Sequence, residues 1–212
     1  MTSSQSIGGP LTTDNKKIPT KTGFRELKNE EFEAIGRLLI ASNCLYVDIS
    51  ALYVSWTGID DELFKRILMI EPRVSDVISR LELEMKFQRS AAKVSYEVHD
   101  AYFALHKELT YLFGIRNIIA HSPCFANGET ITFHNSLTMR QDKLRDLSCT
   151  EKQIKSLTQH AVNVAIIARE FNHRALTDPD KLKADCNALS AWRNKSSLPN
   201  PIAPDKNQRR KE

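Results

Sequence analysis

Large apolar residues recur at steps of three and four along most of this chain. From Phe24 to Trp56 they fall at Phe32, Ile35, Leu38, Leu39, Leu45, Tyr46, Ile49, Leu52, Tyr53 and Trp56. That period predicts a long amphipathic helix. Thr57-Gly58 ends it, with Gly58 suited to a left-handed cap. Asp60 then caps a short second helix reaching Ile70. Pro72 opens a third helix, to about Phe87, and Gln88 to Lys93 reads as a connection, with continuous helix the alternative. A further long helix spans about Ser95 to Ala120, with Tyr102, Leu105, Leu109, Leu112 and Ile119 on its apolar face. Pro123 cannot continue it and disfavours helical geometry at Ser122, so it stops near His121.

The period then shortens. Asn127-Gly128, flanked by Cys124-Phe125 and by Thr130 to Phe133, predicts a small β-hairpin over 124–134, with Ser136 to Met139 as an extension. Thr150-Glu151-Lys152-Gln153 has the form of a capping box. The helix it opens carries Ile154, Leu157, Ala161, Val164, Ala165, Ala168 and Phe171 and runs to about Ala175. Asp178-Pro179 ends it, and a short helix follows over Asp180 to Trp192. The expected fold is therefore mainly α: an antiparallel helical bundle with a small hairpin between the last two long helices. The expected organisation is a disordered arm over 1–22, a bundle over 23–176, an accessory helix over 177–192 and a basic, proline-containing tail over 193–212.

Composition changes this picture little. The chain is 41% hydrophobic and 26% charged, with seven glycines and eight prolines. These proportions suit a soluble helical domain. Charge is more informative. The net +4 divides into +2 over residues 1–22 and +4 over 193–212, leaving −2 for the body. A body of that charge does not grip nucleic acid along many phosphates, so any such contact is local or made by the tails. The N-terminus lacks the charged and apolar regions of a signal peptide. Leu38 to Trp56 is the nearest thing to a membrane span, but Asp48 sits near its middle and it reads as a core helix. Cys44, Cys124, Cys149 and Cys186 are widely spaced and form no metal-site pair. They read as reduced thiols of a cytoplasmic protein, with Cys44 a small buried hydrophobe.

The chemistry concentrates in Arg116-Asn117-Ile118-Ile119-Ala120-His121. Asn117 and His121 lie four apart and share one helical stripe, while Arg116 sits about 100° around from Asn117. One helix end thus offers a fixed cation, an amide and a titratable ring. Arginine binds phosphate bidentately, and histidine exchanges protons near neutral pH. Together they match the needs of RNA phosphodiester cleavage without metal: a base for the 2′-hydroxyl and a cation for the charge growing on phosphate. The structural alternative is equally concrete, because Arg and His near a helix C-terminus also favour its dipole and free carbonyls.

This run resembles the signature of the HEPN superfamily, an Arg followed by a polar residue and a His four to six positions on, near the end of a long helix in an α-bundle. The body over about 24–176 is similar to such bundles in helix order, and the hairpin fits variants with a small β insertion before the last long helix. The resemblance implies a metal-independent endoribonuclease of a defence or toxin–antitoxin system. It further implies a homodimer in which two motif helices form one composite cleft, RNA as substrate, and an antitoxin or regulatory protein as partner. His121 would then be general base or acid, Arg116 would hold the phosphate, and Asn117 would orient His121 or bind the scissile group. Other members of the superfamily have lost activity and serve as dimerisation or partner-binding modules, which is the alternative here.

Three more histidines are site-lining candidates. His99 and His106 lie seven apart on a face of the motif helix that continues to Phe113 and Ala120, where they would line an inner seam or a dimer face. His134 would approach His121 if the hairpin folds back. His160 and His173 read as surface or core filler. No metal ligand set, P-loop or catalytic triad is legible, so no metal or cofactor is expected.

Overall fold

The computed structural model describes residues 24–56, 73–134 and 146–200. Within them the elements are α1 (Asn29–Trp56), α2 (Val74–Ser90), α3 (Tyr96–His121), β1 (Cys124–Asn127), β2 (Thr130–Phe133), β3 (Leu147–Thr150), α4 (Glu151–Thr177) and α5 (Pro179–Lys195). The protein is mainly α, as the apolar periods predict. The arm over 1–22, the helix expected at Asp60–Ile70, the Gly58 and Pro72 boundaries, the Ser136–Met139 extension and the end of the tail lie outside the described residues.

The long helices supply the core. α1 and α4 lie side by side in the same sense. Asp48 on α1 accepts from both arms of the Arg169 guanidinium on α4 at 3.0–3.1 Å. Near the end of α1, Trp56 donates to the Asn172 side chain. α3 runs the opposite way against both. Its Tyr102 ring packs 5.6 Å from Trp56 and 6.4 Å from Phe171. Leu38, Leu45, Leu105, Leu109, Leu157, Val164 and Phe171 are fully buried where these helices meet. An 18-residue window of α1 is apolar enough to cross a membrane, yet half of it is buried within the bundle.

Local chemistry sets the helix ends. Ser95 caps α3 by accepting from the Val98 backbone N–H, and Pro123 follows its last turn. Thr150 and Gln153 form the reciprocal capping box of α4. Asp178 caps α5 through the Lys181 N–H, with Pro179 in the first turn. These caps satisfy backbone donors that a helix cannot satisfy itself. α1 begins five residues later than Phe24 for a different reason. Residues 24–28 are extended because Arg25 pairs with Ala126 of β1. Its guanidinium also reaches the Glu31 carboxylate at 2.6–2.8 Å and the Gly128 carbonyl at 2.7–3.0 Å. This strap ties the start of α1 to the hairpin turn, where Gly128 adopts a left-handed φ of 58°.

The hairpin forms as predicted, in the register Cys124↔Phe133 and Asn127↔Thr130. A third strand joins it: β3 pairs antiparallel with β2, Ile131 opposite Cys149. The sheet is two-faced. Ala126, Ile131, Phe133, Leu147 and Cys149 are buried, while Phe125, Thr132 and Ser148 face outward.

Cys44 corrects an expectation. It is exposed, not buried. Leu38, Leu45, Ile49 and Leu52 fix the inward phase of α1, which turns Ile40, Cys44 and Val47 to solvent and puts Ser42 inside. The Ser42 hydroxyl is accommodated by donating to the Leu38 carbonyl at 2.8 Å.

Candidate functional site

The last two turns of α3 carry the motif. Ile115, Ile118 and Ile119 point inward and are buried, which anchors the turn to the core. The same phase leaves Arg116 half-buried and Asn117 and His121 exposed. The Arg116 Nη1 donates to Asn117 Oδ1 at 3.2 Å, so the amide restrains the guanidinium from beside it. Among the described residues no carboxylate pairs with Arg116, and no side chain hydrogen-bonds the His121 imidazole. The Ser122 N–H closes the helix on the Ile118 carbonyl at 3.0 Å.

This geometry has a chemical consequence. Buried or structural arginines are normally paired with acids. An arginine whose fork is met only by a neutral amide retains its full charge for an anion. An exposed imidazole on the same helix end can give or accept a proton. The helix-dipole reading of the motif remains compatible with the position of His121 in the last turn.

The three site-lining candidates fall in two places. His99 lies 3.7 Å from Asp100, with its ring 4.8 Å from that of Phe103. His106 lies 3.5 Å from Glu82 of α2 and 5.9 Å from the Tyr102 ring. Burial lowers the basicity of His106, and the Glu82 charge opposes that only in part. His106 is ten residues before Arg116, roughly 15 Å along the helix. His106 therefore serves the α2–α3 seam, His99 meets neighbours on α3 itself, and both stand apart from the motif. His134 is placed closer. Its backbone N–H bonds the Pro123 carbonyl at 2.9 Å, which fastens the end of β2 to the segment leaving His121. Its Nδ1 lies 3.1 Å from Asp146 Oδ2.

Sequence reasoning missed a second polar cluster. Glu108 on α3 and His160 on α4 are both fully buried, the Glu108 carboxylate also accepts from Ser190 at 2.5 Å, and Arg193 lies 3.5 Å away. Trp192 stacks on the imidazole, centroids 5.3 Å apart and planes 12° apart. The cluster closes α5 over α3 and α4. Just beyond it Tyr111 donates to the Pro199 carbonyl at 2.8 Å and Leu198 is buried, so residues 196–200 pack on the bundle. The expectation of filler for His160 gives way to a hydrogen-bonded ring in the core; His173 is exposed. Hollows of about 410 and 420 Å³ lie between α1 and α4, lined by Arg37, Val162 and their neighbours, and neither includes a motif residue. Among the described residues no group of three or more His, Cys, Asp or Glu side chains could hold a metal ion.

No family model, no curated protein and no solved structure matches the chain.

Proposed function

We propose that this chain is a metal-independent endoribonuclease of HEPN type, acting in the cytoplasm as a homodimer in a defence or toxin–antitoxin setting. The observation that carries the reading is the half-buried Arg116 guanidinium, met among the described residues only by Asn117 Oδ1, on the same helix end as the exposed His121.

The chemistry follows from those groups. His121 takes the proton of a ribose 2′-hydroxyl, whose oxygen attacks the adjacent phosphorus. The bond from phosphorus to the 5′-oxygen breaks, and that oxygen takes up a proton. Arg116 neutralises the charge that grows on the non-bridging oxygens. Asn117 holds the guanidinium fork. The two proton transfers call for a base and an acid, and one copy of the motif has a single imidazole. A second copy supplies the other, which is the physical reason for a composite dimer site.

The test is a gel assay on total RNA in excess EDTA, paired with thermal melts. The parent cuts, while His121→Ala loses cutting at an unchanged melting temperature. If the parent cuts nothing and His121→Ala melts several degrees lower, the motif is a structural cap and the chain a non-catalytic dimerisation or partner-binding module.

A further inference from the structure

The outward face of the sheet is unusual for so small an element, because its exposed groups are rings followed by hydroxyls. Phe125 on β1 is 43% exposed and Phe24 on the N-terminal strap is 48% exposed. Their centroids are 5.6 Å apart. On the other side of Phe125 the His134 ring lies 5.7 Å away, its side chain 47% exposed. Three rings thus form a continuous surface row. Beside it, Thr132 lies opposite Phe125 in the register and Ser148 opposite Thr132. The two hydroxyls sit 3.0 Å apart.

Each ring is held from behind. Phe24 precedes Arg25, whose backbone pairs with Ala126 and whose side chain is fixed by Glu31 and Gly128. Phe125 stands on a strand whose alternate residue, Ala126, is fully buried. His134 is fixed by Asp146 through its side chain and by Pro123 through its backbone. A row held in this way exposes about half of each side chain to solvent and lowers the ordering cost of binding. Burial in the core, the ordinary use of a phenylalanine, does not account for it.

The row is also tied to the motif. Phe125 is four residues past His121, at most about 14 Å of extended chain. The His134–Pro123 bond fixes the sheet in that position.

We infer that this face is a stacking platform for about two unpaired nucleotides of the RNA that Arg116 and His121 engage. The inference rests on the ribonuclease reading and specifies its substrate as single-stranded. Unpaired bases stack on exposed aromatic rings irrespective of sequence, while hydroxyls such as those of Thr132 and Ser148 meet sugar or phosphate oxygens. A base held in a duplex has no free face to offer. This mode also suits a body with a net charge of −2, because stacking needs no broad basic surface.

The experiment uses the full chain with His121→Ala, so that RNA stays intact, and a short fluorescein-labelled unstructured oligoribonucleotide read by anisotropy. Adding Phe125→Ala weakens binding about tenfold, Phe24→Ala weakens it less, and Phe125→Trp restores it. The same oligonucleotide annealed to its complement binds more weakly than the single strand. Phe125 is exposed, so its variants keep the parent melting temperature; should Phe125→Ala unfold, the Trp and Phe24 variants carry the comparison. Equal affinity of parent background and ring variants overturns the platform, including the case in which the rings dock a protein. If the parent cuts RNA and affinity ignores the rings, the platform falls and the nuclease stands. If binding follows the rings and the parent cuts nothing, the nuclease falls and the platform stands. If the parent neither binds nor cuts, both fall.

Discussion

Nε2 of His160 donates to Oε2 of Glu108 at 2.8 Å with neither side chain exposed, and this bond joins α4 to α3 beneath α5. Of the carboxylate's roughly four acceptor directions, His160 and Ser190 take two by hydrogen bond, and the Arg193 guanidinium pairs with the charge at 3.5 Å. Burial by itself would raise the Glu108 pKa. The hydrogen bonds from His160 and Ser190 and the Arg193 charge outweigh it and hold the carboxyl below its ordinary value.

Glu108→Ala removes the acceptor shared by His160 and Ser190 and the counter-charge of Arg193, and it leaves His160 buried without a partner on either nitrogen, since Nδ1 already has none among the described residues. Breaking a buried charged network from one side costs about 3–5 kcal/mol. At this chain length the melting temperature falls by about 6–20 °C. Circular dichroism melts of parent and variant measure it; a fall of only a degree or two contradicts a clamp at Glu108.

Acid should loosen the strap as well. The Arg25 guanidinium on Glu31 holds that carboxyl at about 2, against the opposing effect of burial, with help from the Lys28 backbone N–H. A depressed folded-state pKa adds stability above the ordinary carboxylate range, and the gain disappears as pH falls through about 4 toward 2. Glu31→Gln removes this dependence and costs about 1.5–3 kcal/mol near neutral pH. Melting temperature against pH for the two proteins should therefore draw together from about pH 4 and meet only as pH approaches about 2. Parallel curves across the acid range contradict the account of Glu31.

Thiol accessibility separates the cysteines. Cys44 is exposed on α1, whereas burial pushes the Cys149 and Cys186 thiols up to about 12. A maleimide reagent at neutral pH modifies Cys44 first, and Cys149 and Cys186 react only on unfolding, because the thiolate is the nucleophile. Mass mapping of the modified peptides reads the order, and early labelling of Cys149 or Cys186 contradicts the packing given to β3 and α5.

The guanidinium of Arg116 carries a further expectation. Arg116→Ala lowers the cleavage rate by about 10²–10³, the loss typical of one donor to a developing anion. Arg116→Lys restores only part of it, since an ammonium lacks the fork that Asn117 orients. Single-turnover rates at saturating RNA measure both, and full activity in Arg116→Ala removes that residue from the chemistry.

The long helices were legible because their boundaries have chemical causes written in one or two residues: Ser95 and Pro123 around α3, the Thr150–Gln153 box at α4, Asp178-Pro179 before α5. Asn127-Gly128 made the hairpin legible in the same way. β3 was not, since Leu147-Ser148-Cys149-Thr150 is a four-residue strand whose partner lies far back in the chain. The Glu108–His160 pair was not legible, because the two residues stand on different helices 52 positions apart and neither has a partner in its own helical pattern. Their spacing placed them inside, Glu108 between Leu105 and Leu112 and His160 between Leu157 and Val164. Cys44 was misjudged as an apolar residue facing inward, on a helix whose phase points it to water. The ring row of Phe24, Phe125 and His134 joins residues more than a hundred positions apart, and no local pattern announces it.

The proposed chemistry of Arg116 and His121 is cleavage of RNA by attack of its own 2′-hydroxyl. End-group analysis of the fragments, made in excess EDTA with purified full-length protein, tests it most directly. The predicted products carry 2′,3′-cyclic phosphates and free 5′-hydroxyls, and they vanish with His121→Ala. Fragments bearing 5′-phosphates, or cyclic-phosphate fragments produced undiminished by His121→Ala, would contradict it.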